Sequence, residues 1–179
     1  MSAKNIILIG PMGSGKSTIG QLLAKRLNRD FFDSDYYIEE RTGVDIPRIF
    51  DIEGEDGFRL RETRALQELT QKNNLVLATG GGSIMRKENR DLLKKSGFII
   101  FLDTSINQQM ERLKHDKKRP LLQTEHPRER LTQLLEQRKP LYMELADLRI
   151  PTDRKYARKV AAEIMPRLPS YLTHSDFTE

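Results

Sequence analysis

Eight residues, Gly10-Pro11-Met12-Gly13-Ser14-Gly15-Lys16-Ser17, follow the spacing G-x-x-x-x-G-K-[ST]. Glycines so placed let the backbone turn tightly enough to aim several N–H groups at one anion. The lysine can reach β- and γ-phosphates, and the serine hydroxyl is a ligand for Mg²⁺. Gly13, Ser14, Gly15, Lys16, Ser17 and the adjoining Thr18 are therefore the predicted nucleoside-triphosphate site. A chance glycine turn needs no particular flanks, whereas this chemistry needs a strand before the loop and a helix after it. The sequence supplies both, as Asn5-Ile6-Ile7-Leu8-Ile9 and as Ile19, Leu22, Leu23 and Leu27 on one helical face.

Phosphoryl chemistry also calls for a carboxylate beside the metal, commonly at the end of a neighbouring strand. Asp33, closing the short run Phe31-Phe32-Asp33, is the predicted second metal residue with Ser17. Asp103 competes, but Thr104-Ser105 after it reads as a helix start, which favours a capping role there. Asp35 shares a side with Asp33 in an extended backbone and has two readings. It could orient or deprotonate an acceptor hydroxyl, or Ser34 and Asp35 could simply cap the next helix. Arg59 and Glu62 have the spacing of a surface helix pair, and Arg61 and Arg64 are equally basic, so periodicity does not choose among them. Arg138, in Gln137-Arg138-Lys139-Pro140-Leu141-Tyr142, is unremarkable alone. Arg119-Pro120-Leu121-Leu122 is a proline-stiffened basic loop, and an arginine closing on a γ-phosphate can contribute about 10³–10⁵ in rate. His115, His126 and His174 have no metal-ligand spacing.

The elements that must hold these residues alternate along the chain. After the first strand and helix come a second short strand at 31–33, a helix over 36–41, and a short helix capped by Asp45 with Pro47 in its first turn. A longer helix over 55–72 has Phe58, Leu66 and Leu69 as core candidates and is weakened at Gly57. Leu75-Val76-Leu77-Ala78 is a third strand, ending in Thr79 and the glycines Gly80, Gly81 and Gly82, expensive to order unless the backbone must approach a ligand. A helix over 87–95, a strand over 98–102 and a helix over 107–114 follow. The pattern then gives a helix over 128–142, kinked or ended by Pro140, a strand over 148–150 and a helix over 156–165. Residues 170–179 read as a loose polar tail. Alternating strands and helices without repeat or linker predict one doubly wound parallel α/β domain.

Composition narrows the function classes. The 179 residues suit one domain with a real core, and 37% hydrophobic with 32% charged residues describes a soluble globular chain. No apolar run reaches membrane-spanning length, and the first strand begins too early for a signal peptide, so a cytoplasmic location is expected. The absence of cysteine excludes disulfides and thiolate chemistry. The net charge is +5, and residues 112–119 alone hold five bases against one acid. So local a patch suits a small polyanion better than a nucleic-acid duplex, and no nucleic-acid or membrane partner is expected.

Taken in order, Gly10 to Ser17, Phe32-Asp33-Ser34-Asp35, Gly54-Glu55 with Phe58-Arg59 and Glu62, Gly80-Gly81-Gly82, Arg119-Pro120-Leu121-Leu122, and Arg138 before Pro140-Leu141-Tyr142 make the chain resemble the shikimate kinases. The resemblance runs from Asn5 to about Arg158. It implies a single-domain, three-layer phosphate-loop kinase fold with a five-stranded parallel sheet ordered 2-3-1-4-5. The domain covers residues 1–166, with substrate-binding helices at about 34–62, a lid at about 112–127, and a tail at 167–179. The implied reaction moves the ATP γ-phosphoryl group to the 3-hydroxyl of shikimate, giving shikimate 3-phosphate and ADP in aromatic amino-acid biosynthesis, with Mg²⁺ as cofactor and a monomeric enzyme. By this likeness Lys16, Asp35 and Arg119 are catalytic, and Asp35 holds the substrate diol. Arg59 and Arg138 clamp the carboxylate, with Gly80, Gly81 and Gly82 beside it and the Gly81 N–H joining the site. Arg119 comes from the lid, while Arg112 and Arg154 belong to the nucleotide site, the latter in a loop, Thr152-Asp153-Arg154-Lys155, that matches the family only in part. Related gluconate or nucleoside monophosphate kinases need not share Asp35, Arg59 and Arg138 together. A nucleotide-controlled nucleic-acid module would bind with steep salt dependence.

Overall fold

The computed structural model describes residues 4–116 and 120–173. Five strands, β1 (Asn5–Ile9), β2 (Asp30–Asp33), β3 (Leu75–Ala78), β4 (Gly97–Asp103) and β5 (Leu148–Pro151), form one parallel sheet in the order β2-β3-β1-β4-β5. The α-helices are α1 (Lys16–Leu27), α2 (Ser34–Thr42), α3 (Ile46–Leu69), α4 (Lys87–Ser96), α5 (Ile106–Leu113), α6 (Pro127–Leu145), α7 (Ala157–Ile164) and α8 (Ser170–Thr173). The expected sheet order is the observed one.

Strand β1 is fully buried because it sits at the centre, with Ile6 opposite Val76 of β3 and Ile9 opposite Phe101 of β4. Its alternate side chains feed two cores. Ile6 and Leu8 meet Ile19 and Leu23 of α1 and Val160 and Ile164 of α7, while Ile7 and Ile9 meet Leu66 and Leu69 of α3, Leu93 of α4 and Tyr142 of α6. The result is helix, sheet, helix, with every strand ending on the same edge. β1 is flanked by β3 on one side and β4 on the other, and the chain crosses sides between those two strands, so a crevice opens beyond the carboxyl end of β1. The phosphate loop lies there.

The two helices expected at 45 and 55–72 are both present, joined within α3 at Gly54, whose backbone is non-helical (φ 69°, ψ −175°). Three expectations change. Helix α6 continues through Pro140 because Tyr142 and Leu145, both buried against the sheet, anchor its last turn. Burying such side chains contributes about 1.5–3 kcal/mol each, which offsets the roughly 3 kcal/mol cost of an interior proline. Asp103 does not cap α5; the Ser105 hydroxyl does, accepting from the Gln108 N–H at 3.3 Å. Asp103 is instead held by Arg149 (Nε at 2.8 Å) and Lys139 (3.3 Å), which removes it from competition for the metal role. Finally, the described part of the supposed tail is ordered. Leu168 and Leu172 follow Ile164 at four-residue spacing and join its core cluster, and Arg29 donates to the Leu172 carbonyl at 2.9 Å.

That last packing has a measurable consequence. Leu172→Ala is expected to lower unfolding stability by about 2 kcal/mol in urea titration, the lower end for a buried leucine since a terminal helix can collapse inward. A dispensable tail would leave the midpoint unchanged.

Candidate active site

The loop after β1 turns through three glycines with positive φ, Gly10, Gly13 and Gly15. Gly15 occupies the N-cap of α1 in the left-handed region (φ 90°), and no side chain caps that end. The first N–H groups of α1 are thus left to an external acceptor, as anion binding at a helix start requires. Lys16 curls over its own loop, its ammonium donating to the Gly10 and Pro11 carbonyls at 2.8 Å each and to Ser14 Oγ at 3.3 Å.

Asp33 ends β2 and serves two helices at once. Its Oδ1 caps α2, accepting from the N–H groups of Asp35 (3.0 Å) and Tyr36 (3.2 Å), and its Oδ2 accepts the Ser17 hydroxyl of α1. The cap of α2 is therefore Asp33, not Ser34 or Asp35, and the capping alternative for Asp35 falls. Ser34 has another task, its hydroxyl accepting from the Gly80 N–H at 3.0 Å. Gly80 follows β3 and lies against Asp35 and Glu62. A Cβ built there would fall 2.8 Å from Asp35 Oδ1 and 2.5 Å from Glu62 Oε1. Only glycine fits between two carboxylates at that range. Ser17 and Asp33 form an all-oxygen pair, the donor type Mg²⁺ prefers. Among the described residues no cluster of three or more acidic or histidine side chains gathers, so a divalent ion here would take its other ligands from phosphate and water.

Arg59 is buried, unlike Arg61, which is paired with Glu53 at the surface, and exposed Arg64. Burial is the choice that periodicity could not make. Arg59 donates to Glu62 at 2.9 Å and Glu55 at 3.0 Å and sits 5.2 Å from the Phe58 ring centroid. Burial works against its charge, but the Glu62 and Glu55 carboxylates outweigh it and its pKa is raised. The Arg59–Glu62 pair is thus no surface pair, since Glu62 is wholly inaccessible. Burial pushes the Glu62 pKa up to about 7; the Arg59 charge pulls it down, and the Asp35 charge adds to burial. Glu62 Oε1 is buried without a hydrogen-bond partner. Arg138 of α6 is likewise buried, which lowers its pKa, with Arg59 close enough to add repulsion. Two desolvated guanidinium groups this close have the charge and donor geometry that can pair with a carboxylate.

Two cavities meet at Asp35. One of about 180 Å³ runs along Gly13, Gly15, Lys16, Ser17 and Thr18. The other, of about 240 Å³, is lined by Arg59, Glu62, Arg138 and Gly80 to Gly82, with Phe50 and Phe58 as apolar wall. Met12, Asp33, Asp35 and Gly81 line both. Arg112 and Arg154 lie apart from the second cavity. Arg112 donates to the Gly13 carbonyl (2.9 Å) and the Thr152 carbonyl (3.1 Å), and the Arg154 N–H donates to Gln108 Oε1 at 3.0 Å. Arg119 lies outside the described residues, but its neighbours Asp116, Pro120 and Leu121 line the second cavity.

A sequence model of the family described as shikimate kinase matches residues 12–169. The chain belongs to the shikimate kinase family. A shikimate kinase of Vibrio parahaemolyticus is 55% identical over 165 residues, covering 92% of this chain and 96% of that one. One from Actinobacillus pleuropneumoniae is 56% identical over 162 residues, covering 90% and 94%. Among solved structures, a shikimate kinase from Acinetobacter baumannii in complex with shikimate superposes with a TM-score of 0.90 at 50% identity, covering 92% of each chain. The activity is that of a shikimate kinase, an ATP-dependent phosphotransferase. No helix among the described residues is long and apolar enough to cross a membrane.

Glu62 and Phe50 line the second cavity without being among the predicted site residues. Glu62 enters the sequence reading as the helical partner of Arg59 and as part of the ordered motifs, and nothing in the spacing tells a buried pair from an exposed one. Its titration is measurable. The folded chain keeps the Glu62 proton to about pH 7, against an ordinary value of 4.5. The native state therefore holds the extra proton between those values, and this group makes stability fall as pH rises through the window. Melting wild type and Glu62→Gln at pH 5 and pH 7.5 is expected to show wild type losing Tm relative to the variant at the higher pH; parallel shifts would contradict the assignment.

Proposed function

We propose that Asp35, Arg59, Arg138 and the glycines 80–82 hold shikimate, and that its 3-hydroxyl receives the ATP γ-phosphoryl group at the junction of the two cavities. The reading is carried by one observation, that Asp35 lines both the phosphate-side and the arginine-lined cavity. An acceptor whose carboxylate is held by Arg59 and Arg138 presents its ring hydroxyls toward Asp35 and the phosphate loop. Asp35 takes the hydroxyl proton as the oxygen bonds to Pγ, the bond from Pγ to the β–γ bridging oxygen breaks, and ADP leaves. Lys16 exchanges its loop carbonyls for phosphate oxygens and offsets the charge that develops on them. Ser17 and Asp33 would hold Mg²⁺, which when bound neutralises phosphate charge and orients the triphosphate. Arg112 and Arg154 flank the nucleotide end, and Arg119 would reach the phosphates from the segment that borders the acceptor cavity. Closure of that segment over the acceptor would exclude the water that otherwise hydrolyses ATP.

Two substitutions separate donor from acceptor functions. Lys16→Ala is expected to lower kcat/KM by about 10³-fold or more in a coupled ADP-release assay, since no other side chain on the loop carries a cation. Arg138→Ala is expected to raise the shikimate KM about 10- to 100-fold while the ATP KM stays near wild type. Equal loss of both would contradict the carboxylate clamp.

A further inference from the structure

Tyr142 is fully buried and touches neither of the two cavities, yet its hydroxyl ends at the glycine loop. Its ring stacks on Phe101 of β4, with centroids 5.0 Å apart and planes 23° apart. Its O–H donates to the carbonyl of Gly81. Burial raises the phenol pKa, with the neighbouring Arg138 charge pulling the other way, so the group remains a donor at every physiological pH. Tyr142 also lies four residues after Arg138, on the same face of α6.

The Gly81 peptide is hemmed in elsewhere. A Cβ at Gly81 would lie 3.4 Å from the Gly10 carbonyl, 3.5 Å from the Met12 N–H nitrogen and 3.5 Å from Arg138 Nη1. Gly81 thus packs between the phosphate loop and one of the carboxylate-binding arginines. The carbonyl of Gly81 and the N–H of Gly82 belong to one planar trans unit and point in opposite directions. Whatever fixes that carbonyl also fixes the Gly82 N–H. Three successive glycines have no side chains with which to set the plane themselves, and the bonds that hold the loop on either side, from the Ser83 N–H to the Gly80 carbonyl and from the Met85 N–H to the Gly82 carbonyl (3.1 Å each), leave the Gly81 carbonyl to Tyr142.

We propose that Tyr142 is a positioning residue for the acceptor site, its hydroxyl locking the Gly81–Gly82 peptide so that the loop backbone and Arg138 keep one arrangement toward the substrate carboxylate. This rests on the acceptor reading given above. The stack on Phe101, which pairs with the last residue of β1, refers that arrangement to the strand that carries the phosphate loop. Donor and acceptor halves are thereby set against the same rigid element.

Tyr142→Phe keeps the ring and the stack and removes only the hydroxyl. It is expected to raise the shikimate KM about five- to tenfold, the range of one lost hydrogen bond, with the ATP KM near wild type and a modest fall in Tm. Phe101→Leu loosens the same stack but leaves the hydroxyl in place; it is expected to lower Tm with little change in shikimate KM. The proposal is overturned if Tyr142→Phe lowers Tm without moving the shikimate KM, if it moves both KM values equally, or if Phe101→Leu moves the shikimate KM as far. Arg138→Ala, assayed alongside, distinguishes the two levels. An unchanged shikimate KM in that variant would sink the acceptor site itself, whereas a raised one with a silent Tyr142→Phe would sink only the role of Tyr142.

Discussion

One carboxylate joins the two halves of this site. Asp33 gives one oxygen to the start of α2 and the other to Ser17 in the first turn of α1, so the helix that faces phosphate and the helix that carries Asp35 share a single anchor. Because strand β2 delivers Asp33 to the sheet edge in register with the end of β3, the same geometry brings Gly80 beside Asp35. Moving either helix would break the cap or leave a hydroxyl unpaired, at the cost of about a hydrogen bond each. That shared anchor keeps the two cavities in contact.

The arginine-lined cavity concentrates desolvated charge. Arg59, Glu62 and Arg138 are all removed from water, and Asp35 adds a second anion beside Glu62. Charges so placed interact far more strongly than at a surface, which favours a bound carboxylate and also makes each uncompensated group costly. Arg59 answers that cost by pairing with Glu62 and Glu55. Glu62 answers it by holding its proton to higher pH than an exposed glutamate. The glycines at 80 and 82 are what allow such crowding, since a Cβ at Gly82 would lie 2.5 Å from the Arg59 guanidinium.

Much of this was legible in the chain. The phosphate loop is a local device whose glycines, lysine and serine are adjacent, so spacing alone identifies it. The parallel α/β class followed from the alternation of strands and helices, whereas the sheet order and the reading of Asp35 came from the resemblance to the shikimate kinases. Errors fell where a long-range contact overrode a local preference. Pro140 should kink or end a helix, but the burial of Tyr142 and Leu145 carries it on. Asp103 precedes a plausible helix start, yet Arg149 from β5 claims it from 46 residues away. Residues 170–179 read as a polar tail, while the spacing of Leu168 and Leu172 after Ile164 ties its first turn to the core.

The sequence by itself identified the phosphate-binding loop at the end of the first strand, because its residues are contiguous and such loops act mainly through backbone. Which of Arg59, Arg61 and Arg64 is turned inward, that Glu62 is buried with it, and that Tyr142 reaches Gly81 were decided only by tertiary structure. Those choices depend on which side of a helix is turned inward and on groups 61 residues apart meeting across the sheet edge. Burial, unlike spacing, is a property of the packed molecule, and it is burial that sets Arg59 and Arg138 apart from the surface arginines.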